Sequence, residues 1–440
     1  MFRFPLTIVV AAFIVMVPVS SAEEQNTDIF RQLLLFSEVF ERVRTDYVEE
    51  VDDKELIEAA VRGMLASLDP HSGYMGPEDF RENRVQTRGE YGGVGMEVTL
   101  ENGVLRVIAP MDGTPAARAG MQAGDYITHA DGETIVGMTL SEGVSLLRGP
   151  VDSAVTITVV RKGKDKPFDV ILVREIIIIS AVRHEIERGS IGYLRLTTFN
   201  NEKLSRDLRR AMREIQKDLG DNLQGYVLDL RNNPGGLLDQ AIEVTDIFLD
   251  RGEIVSTRGR KPRDNERWDA SRGDLAAGLP IVILVNAGTA SASEIVTGAL
   301  QDHRRATVLG VTTFGKGLVQ SVIPMGPEMA LRLTTARYYT PSGRSIQALG
   351  IEPDIFVERP LNGDEDNRFR ARRESDLRGH LENEAGNGDD VGEKEEALSR
   401  PALELAAKNE EDGERVDYQL KYALDLLQGA IGVSQKLAAN

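Results

Sequence analysis

The chain has 440 residues, 41% of them hydrophobic, and carries a formal net charge of −18 at pH 7. This length predicts two or three domains, and the negative charge disfavours nucleic acid and anionic membrane surfaces as partners. The sequence contains no cysteine, which excludes disulfide bonds, cysteine nucleophiles and thiolate metal sites.

The N-terminus has the pattern of an export signal over residues 1–22. Arg3 supplies a positive charge, Leu6–Val19 is an apolar stretch, and Ser20–Ala22 offers the small residues at which signal peptidase cuts. The alternative is a retained anchor at the inner membrane, but the apolar run is short of the roughly 20 residues that a spanning helix needs. We therefore predict an exported protein, periplasmic in a two-membrane bacterium, which contacts the membrane only if this segment is retained.

Residues 27–85 carry apolar side chains at helical spacing. The first run consists of Ile29, Leu33, Leu34, Phe36, Val39, Phe40 and Val43, and the second extends from Leu56 to Leu68. We predict an N-terminal helical region. Such a helical cap usually packs on a neighbouring domain or a second subunit, so a homo-oligomer is one expectation.

Over residues 86–174 the hydrophobic period changes from 3.6 to 2, which predicts a compact β-rich domain. The expected strands cover Val94–Val98, Val104–Ile108, Tyr126–His129, Val155–Val160 and Phe168–Val173. Two helix-like stretches with glycine near their ends lie between the strands, at Pro115–Asp125 and Leu140–Gly149. The domain is long enough to have a core of its own.

Residues 175–360 alternate strand-like and helix-like runs, which predicts an α/β layer with crossover connections. The expected strands are Ile191–Leu196, Gly225–Leu230, Ile281–Val285 and Thr307–Leu309. The expected helices are Leu204–Leu219, Asp239–Leu249 and Glu294–Asp302. This is the longest globular portion of the chain.

Residues 361–440 form an acidic extension that is rich in Gly, Asn, Asp and Glu. Such a composition buries too little apolar surface to offset the entropy of ordering. We predict disorder over most of 362–400, followed by an amphipathic helix at Val416–Leu427 that docks locally.

Ser291 lies where the apolar strand run Ile281–Val285 gives way to a helix. A serine at a helix N-terminus can attack a carbonyl group, because free backbone N–H groups there can hold the resulting oxyanion. The same residues also fit a capping box, with Ser291 at the N-cap and Glu294 at the third helical position. Ser293 is a second candidate, and the residues alone do not decide between the two serines.

Lys316 follows between Gly315 and Gly317, where bare backbone permits close approach. Gln320 lies four residues further on and shares a face with the lysine in a strand or a helix, so it could hold the lysine nitrogen. To act as a general base, the lysine must be neutral, and its pKa must fall from roughly 10.4 to roughly 7. A phosphate-binding loop over Gly310–Gly317 is disfavoured, because it lacks the Ser/Thr that binds magnesium and no helix-forming run follows.

The segment Leu228–Gly236 reads LDLRNNPGG and follows a buried strand. It fits an ordinary turn. Alternatively, an N–H group of Gly235 or Gly236 completes an oxyanion hole with that of Ala292. Asp229 and Arg231 can form a structural ion pair.

The histidines are scattered and lack metal-binding spacing. Asp302 and His303 suggest a Ser-His-Asp triad, but adjacent helical residues point apart. Asp302 also fits a solvated helix end.

Together these motifs resemble the carboxyl-terminal processing proteases, also called tail-specific proteases, over about residues 27–360. The resemblance rests on LDPHSGY, YGGVGMEV, PAARAGMQAGD, LDLRNNPGG, TASASEIVTGALQDHRRA and TFGKGLVQ. In that family the first serine of SASE is the nucleophile, the lysine of GKG is the general base, and a glutamine orients the lysine. The resemblance assigns these roles to Ser291, Lys316 and Gln320, and it selects Ser291 over Ser293. Asp302 matches an aspartate that is sometimes given as a third charge-relay member.

The resemblance also implies a multidomain α/β fold. Residues 86–174 would be a PDZ domain, whose loop of Gly92, Gly93, Val94 and Gly95 would offer N–H groups to a substrate's terminal carboxylate while the strand beside it pairs with the extended tail. Residues 175–360 would be a protease core similar to those of ClpP and crotonase.

The implied function is an exported serine endopeptidase that recognises apolar protein C-termini and cleaves through an acyl-enzyme. It would need no cofactor and no metal, and an adaptor protein is one expected partner. The alternative is a catalytically silent PDZ scaffold. The intact set of Ser291, Lys316 and Gln320 argues against that alternative.

Overall fold

The computed structural model describes residues 21–101, 103–111, 113–164, 166–178, 180–358, 373–384, 386 and 417–438, and it describes no side chains for 21–27, 141 and 430–438. The signal peptide that the sequence predicts over 1–22 therefore lies almost wholly outside the described residues. The chain divides into two compact units, Met1–Leu65 and Ala66–Asn440.

The first unit contains helix α1 (Ser21–Asp46) and most of helix α2 (Asp53–Ala66). Two predicted apolar runs therefore do form helices. Ile29, Leu34 and Val39 on α1 are more than half exposed. Among the described residues, no helix is both long and apolar enough to cross a membrane.

The second unit begins with a departure from the helical region predicted over 27–85. Gly73–Met75 forms strand β1, which pairs antiparallel with Ala330–Tyr339, and helix α3 follows at Pro77–Arg88. Asp69 Oδ1 accepts the backbone N–H groups two and three residues further on (2.8 Å each). This side-chain turn directs the chain into a strand instead of continuing the helix.

The β-rich domain is an antiparallel sheet with two short helices and its own hydrophobic cluster. Its elements, with the ribbon strands that flank it, are β2 (Glu90–Gly93), β3 (Met96–Glu101), β4 (Val104–Pro110), α4 (Pro115–Arg118), β5 (Tyr126–Ala130), β6 (Glu133–Thr134), α5 (Leu140–Leu147), β7 (Ala154–Val160), β8 (Phe168–Val173) and β9 (Glu175–Ile178). The strand order is β3-β4-β5-β7-β8, with β6 beside β5, so β3 lies at an edge. β2 pairs separately with β9, which forms a ribbon where the chain enters and leaves the domain.

The remaining elements form two further sheets. They are β10 (Val182–Glu187), β11 (Ile191–Leu196), α6 (Leu204–Leu219), β12 (Gly225–Asp229), α7 (Leu238–Asp246), β13 (Glu253–Gly259), β14 (Glu266–Asp269), β15 (Ile281–Val285), α8 (Ala292–Asp302), β16 (Thr307–Gly310), β17 (Leu318–Pro324), β18 (Ala330–Tyr339) and β19 (Ile355–Phe356). The predicted crossover layer is confirmed, because β11, β12, β15, β16 and β19 are parallel neighbours in one sheet. β10 joins its edge antiparallel to β11.

Both faces of this parallel sheet are buried. Helices α6, α7 and α8 cover one face. A C-terminal helix, α9 (Tyr418–Ala438), covers the other through Ala423, Leu424 and Leu427. A docking helix is therefore confirmed near the predicted position, but it runs over Tyr418–Ala438 instead of Val416–Leu427, and Val416 lies outside the described residues.

The second sheet was not expected from the sequence. It has the order β1-β18-β13-β14, with β17 also paired to β18. Its strands are amphipathic and carry many polar residues, so they lack the continuous apolar runs that mark the parallel strands. Within the stretch predicted to be mostly disordered, 362–400, residues 373–384 pack against this region. Apart from 386, the other residues of that stretch lie outside the described part of the chain.

The C-terminal helix offers a direct stability test. Leu427 is 2% exposed within the cluster beneath α9, so we expect Leu427→Ala to lower the free energy of unfolding by about 2–4 kcal/mol. Lys421→Ala, on the exposed face of the same helix, should change it by less than about 0.5 kcal/mol. Denaturant titration measures both. Equal losses in the two variants would contradict the docking of this helix.

Candidate active site

Ser291 lies in the turn between β15 and α8, at the carboxyl end of the parallel sheet. It immediately precedes Ala292, the first residue of the helix, and its dihedral angles are φ 56° and ψ −117°. Positive φ is strained for any residue other than glycine, and such strain concentrates at functional sites. Ser291 lines a cavity of about 480 Å³. The turn thus presents this serine to a space that can hold a substrate.

Ser293 has a different environment from Ser291. Its side chain is fully buried, and its hydroxyl donates a hydrogen bond to the backbone oxygen of Asn233 (3.1 Å). The geometry therefore separates the two serines, which the residues alone could not. Ser293 holds the diglycine turn in place, whereas Ser291 faces the cavity.

The diglycine turn packs directly against the Ser291 turn. A Cβ atom at Gly235 would lie 2.8 Å from Ser291 Cβ and 2.6 Å from the oxygen of Ala290, and Gly235 has a φ of 89°. Only glycine fits this position without strain. Asn233 O also accepts the N–H of Ala290 (3.0 Å), which ties the two turns together.

One of the three predicted oxyanion donors is already occupied. The Gly235 N–H donates to Asn233 Oδ1 (3.0 Å), so it is not available in this conformation. Within the described residues, the N–H groups of Gly236 and Ala292 have no hydrogen-bond partner, and both residues line the cavity. The geometry therefore favours Gly236 and Ala292 as the two donors.

Glu294 connects the serine turn to the lysine loop. Its Oε2 accepts the N–H groups of Ser291 (2.7 Å) and Lys316 (2.9 Å). Its Oε1 accepts the Gly315 N–H (2.8 Å) and the Thr313 hydroxyl (2.5 Å). Burial raises the pKa of Glu294 to about 7, and these four donors act in the opposite direction. The expected contact between Glu294 and the Ser291 N–H exists, but its link to the lysine loop was not foreseen.

Lys316 lines the same cavity as the candidate nucleophile. Burial lowers the pKa of its amine, and the nearby Arg332 acts in the same direction. The negative charges of Glu374, Glu294 and Asp69 oppose this shift. The lysine is therefore in an environment where desolvation favours the neutral amine that a general base requires.

The backbone of the lysine loop is fixed from the opposite side by Tyr338. The Tyr338 hydroxyl donates to the backbone oxygen of Lys316, and burial raises the pKa of this tyrosine well above its usual value. The chain continues from Gly317 into strand β17 at Leu318, which excludes the helix that a phosphate-binding loop requires. Tyr338 was not predicted, because its strand was not recognised.

Gln320 also lines the cavity, but its amide forms a different hydrogen bond from the one expected. Gln320 Nε2 donates to Thr334 Oγ1 (3.4 Å) instead of reaching Lys316. A register shift in the pairing of β17 with β18 occurs at this residue. The structure brings glutamine and lysine to one cavity without bonding them.

Asp302 lies outside the cavity. It ends helix α8, eleven residues after Ser291, which is about 16 Å at 1.5 Å per residue. Its carboxylate bonds Arg344 (2.5 Å) and accepts the N–H of Ser342 (2.9 Å). These contacts correct the charge-relay expectation, because a group at this distance cannot serve the serine directly. Asp302 anchors the loop after β18.

Of the four residues predicted to form a carboxylate-binding loop, Gly92 and Gly93 lie in strand β2 and pair with β9, and Val94 and Gly95 lead into β3. Gly92 O accepts the N–H of Gly149 (3.1 Å), and Val94 O accepts the N–H of Ala116 (2.8 Å). The Thr114 hydroxyl donates a hydrogen bond to Gly95 O (2.7 Å). The loop carbonyls are thus engaged, and β3 leaves one edge open for an added strand.

Three parts of the chain match models of known protein families. Residues 190–357 match the model for Peptidase family S41, 106–161 match a PDZ domain, and 15–79 match the N-terminal domain of the activating protease CtpB.

The carboxy-terminal-processing protease of Bartonella bacilliformis is 52% identical over 96% of this chain and 94% of its own length. The chain belongs to the carboxy-terminal-processing protease family. A carboxyl-terminal-processing protease of Synechocystis is 37% identical over 72% of this chain and 75% of its own length. The solved structure of a photosystem II D1 C-terminal processing protease is 32% identical, with a TM-score of 0.43 over 74% of this chain and 92% of that one.

Family membership identifies the chain as a serine-type protease with a PDZ domain. The multidomain α/β fold that the resemblance implied is confirmed, with N-terminal helices, a PDZ domain and a Peptidase family S41 core.

The close packing at Gly235 can be tested against a matched glycine. Gly235→Ala adds a methyl group that must displace the Ser291 turn, so we expect a larger loss of unfolding free energy than backbone strain alone causes. Gly278→Ala is the control, because Gly278 has a similar φ of 76° with no atom near its missing Cβ. Gly278→Ala should lower the free energy of unfolding by about 1–2 kcal/mol, from backbone strain alone. Equal losses by denaturant titration would show that the predicted clash is absent.

Proposed function

We propose that this member of the family is an exported serine endopeptidase that uses Ser291 as nucleophile and Lys316 as general base. The observation that carries the proposal is that one buried carboxylate, Glu294, binds the backbone of both residues. Both residues also line one cavity. Such an arrangement keeps the reacting groups in a fixed relation before substrate arrives.

In the proposed reaction, Ser291 Oγ attacks the carbonyl carbon of the scissile peptide while neutral Lys316 Nζ takes the hydroxyl proton. The carbonyl oxygen becomes an oxyanion that accepts hydrogen bonds from the Gly236 and Ala292 N–H groups. As the intermediate collapses, the lysine returns that proton to the departing amine, which leaves an acyl-enzyme on Ser291. Water then attacks the ester with Lys316 again as base, which releases the acid and regenerates the serine.

Gln320 is proposed to orient the lysine during this cycle. Its amide lies in the same cavity, and its present hydrogen bond to Thr334 is long at 3.4 Å. A rotation of the side chain would exchange that weak contact for one to Lys316. Asp302 has no part in the proposed mechanism.

We propose that the PDZ domain recruits proteins by apolar C-terminal tails. The tail would add to the open edge of β3, and its carboxylate would bind N–H groups of the loop Gly92–Gly95. The signal-like segment over 1–22 supports export to the periplasm. Adaptor proteins and a second copy of the chain remain proposed partners, the latter because α1 exposes large apolar side chains.

The catalytic assignment can be tested with three alanine variants. Ser291→Ala and Lys316→Ala should each lower kcat/KM by about a thousandfold or more, because each removes a group that reacts in every turnover. Ser293→Ala is the matched control and should retain cleavage, since its hydroxyl only holds Asn233. Cleavage of a protein with an apolar C-terminus, followed by mass spectrometry, measures all three. Undiminished cleavage by Ser291→Ala or Lys316→Ala would refute the dyad.

The PDZ proposal can be tested without turnover in the Ser291→Ala protein. A peptide with an apolar C-terminus and a free carboxylate should bind at least about tenfold more tightly than its C-terminal amide, because the amide cannot accept the same charge-assisted hydrogen bonds. Fluorescence anisotropy measures both affinities. Equal Kd values would exclude carboxylate recognition. Binding without cleavage by the wild-type protein would instead support the silent scaffold.

A further inference from the structure

Residues 373–384 of the acidic extension pack on the protease core, and we call them the strap. Arg337 donates to the backbone oxygen of Glu382 (2.8 Å), and Tyr339 donates to the Glu384 carboxylate (2.9 Å). Asn383 donates to the backbone oxygen of Gln347 (2.7 Å). These contacts fix one end of the strap to β18 and to the loop that follows it.

The other end of the strap carries a fully buried carboxylate, Glu374. His71 Nε2 lies 2.8 and 3.0 Å from its two oxygens, and Gln347 Nε2 donates to Oε1 (3.0 Å). A carboxylate only accepts hydrogen bonds, so His71 must be the donor in this pair. A charge buried so completely is costly unless it is paired and bonded in this way.

Glu374 is bound to the lysine loop on both sides of Lys316. Its backbone N–H donates to Phe314 O (3.0 Å). Gln347, which donates to the Glu374 carboxylate, also accepts the Gly317 N–H at its Oε1 (2.9 Å). The strap therefore fixes the residues before and after the candidate base, and it brings a negative charge to them.

Charged groups from four parts of the fold act on the Lys316 amine. Three negative charges stabilise its ammonium form, and Glu374 on the strap has the largest effect, followed by Glu294 on α8 and Asp69 before β1. Arg332 on β18 is unfavourable to the ammonium form. Removing the charge of Glu374 should therefore lower the pKa of Lys316 further, because fewer negative charges would counteract the effects of burial and Arg332.

We propose that Glu374 is a positioning residue for Lys316. Its bonds to Phe314 and, through Gln347, to Gly317 hold a negative charge beside the candidate base, and the hydrogen bond from His71 partly offsets that charge. The inference rests on the proposed role of Lys316 as general base. If Glu374 has this role, the strap is part of the active site, although it comes later in the chain than the two loops that carry Ser291 and Lys316.

The test is the pH dependence of kcat/KM for the full-length protein. Activity should rise with pH as Lys316 loses its proton. In Glu374→Gln, an isosteric change, the midpoint of this rise should move to lower pH by roughly half a unit or more. In His71→Phe the carboxylate loses a donor, and the midpoint should move to higher pH. Glu382→Gln, on the exposed side of the strap, should leave it unchanged.

Opposite shifts in the two variants would support the proposal. An unchanged midpoint in Glu374→Gln would overturn it, even if activity fell uniformly, because that result indicates a structural role alone. Should Glu374→Gln not fold, His71→Phe decides the question, and an unchanged or lowered midpoint in that variant overturns the proposal. Wild-type cleavage by Lys316→Ala would refute the proposed function itself, which is a separate outcome.

Discussion

The arrangement of the active site depends on one buried carboxylate. Glu294 accepts four hydrogen bonds from two segments of chain, including the N–H groups of Ser291 and Lys316. A carboxylate in a fully buried position is stable only when its oxygens are well bonded, so the fold that buries Glu294 also requires the two loops to meet there. The relative positions of Ser291 and Lys316 thus follow from the hydrogen bonds that one buried carboxylate requires.

The parallel sheet makes this meeting possible. The diglycine turn follows β12 and the serine turn follows β15, and the carboxyl ends of neighbouring parallel strands lie at one edge. The lysine loop reaches the same edge because it follows β16, the next strand in the sheet. The second sheet then closes the site from the other side, with Tyr338 on the Lys316 backbone. Each loop is short, so small residues are needed where backbones touch.

Much of this could be predicted from local sequence, and the remainder depends on distant contacts. Ile191–Leu196 and Leu204–Leu219 match the predicted bounds because each has a clear hydrophobic pattern. The strand that carries Tyr338 has no such pattern, since polar residues interrupt it. Glu374 is harder still to predict, because its acidic surroundings indicate disorder and its partner His71 lies some 300 residues earlier in the chain. The hydrogen bond from the Gly235 N–H to the Asn233 side chain is likewise a tertiary detail that the spacing of residues in the sequence does not indicate.

Carboxylates around a lysine that must be neutral present a physical difficulty, because each one favours the ammonium form. The difficulty is resolved by the two tasks of Lys316, which takes a proton from Ser291 and later returns it to the departing amine. A lysine surrounded only by apolar groups would hold the proton too weakly to remove it from a hydroxyl. Burial lowers the pKa, and Glu374 and Glu294 limit the decrease. A general base is most effective when its pKa lies near the working pH, and these opposing effects can bring the lysine toward that value.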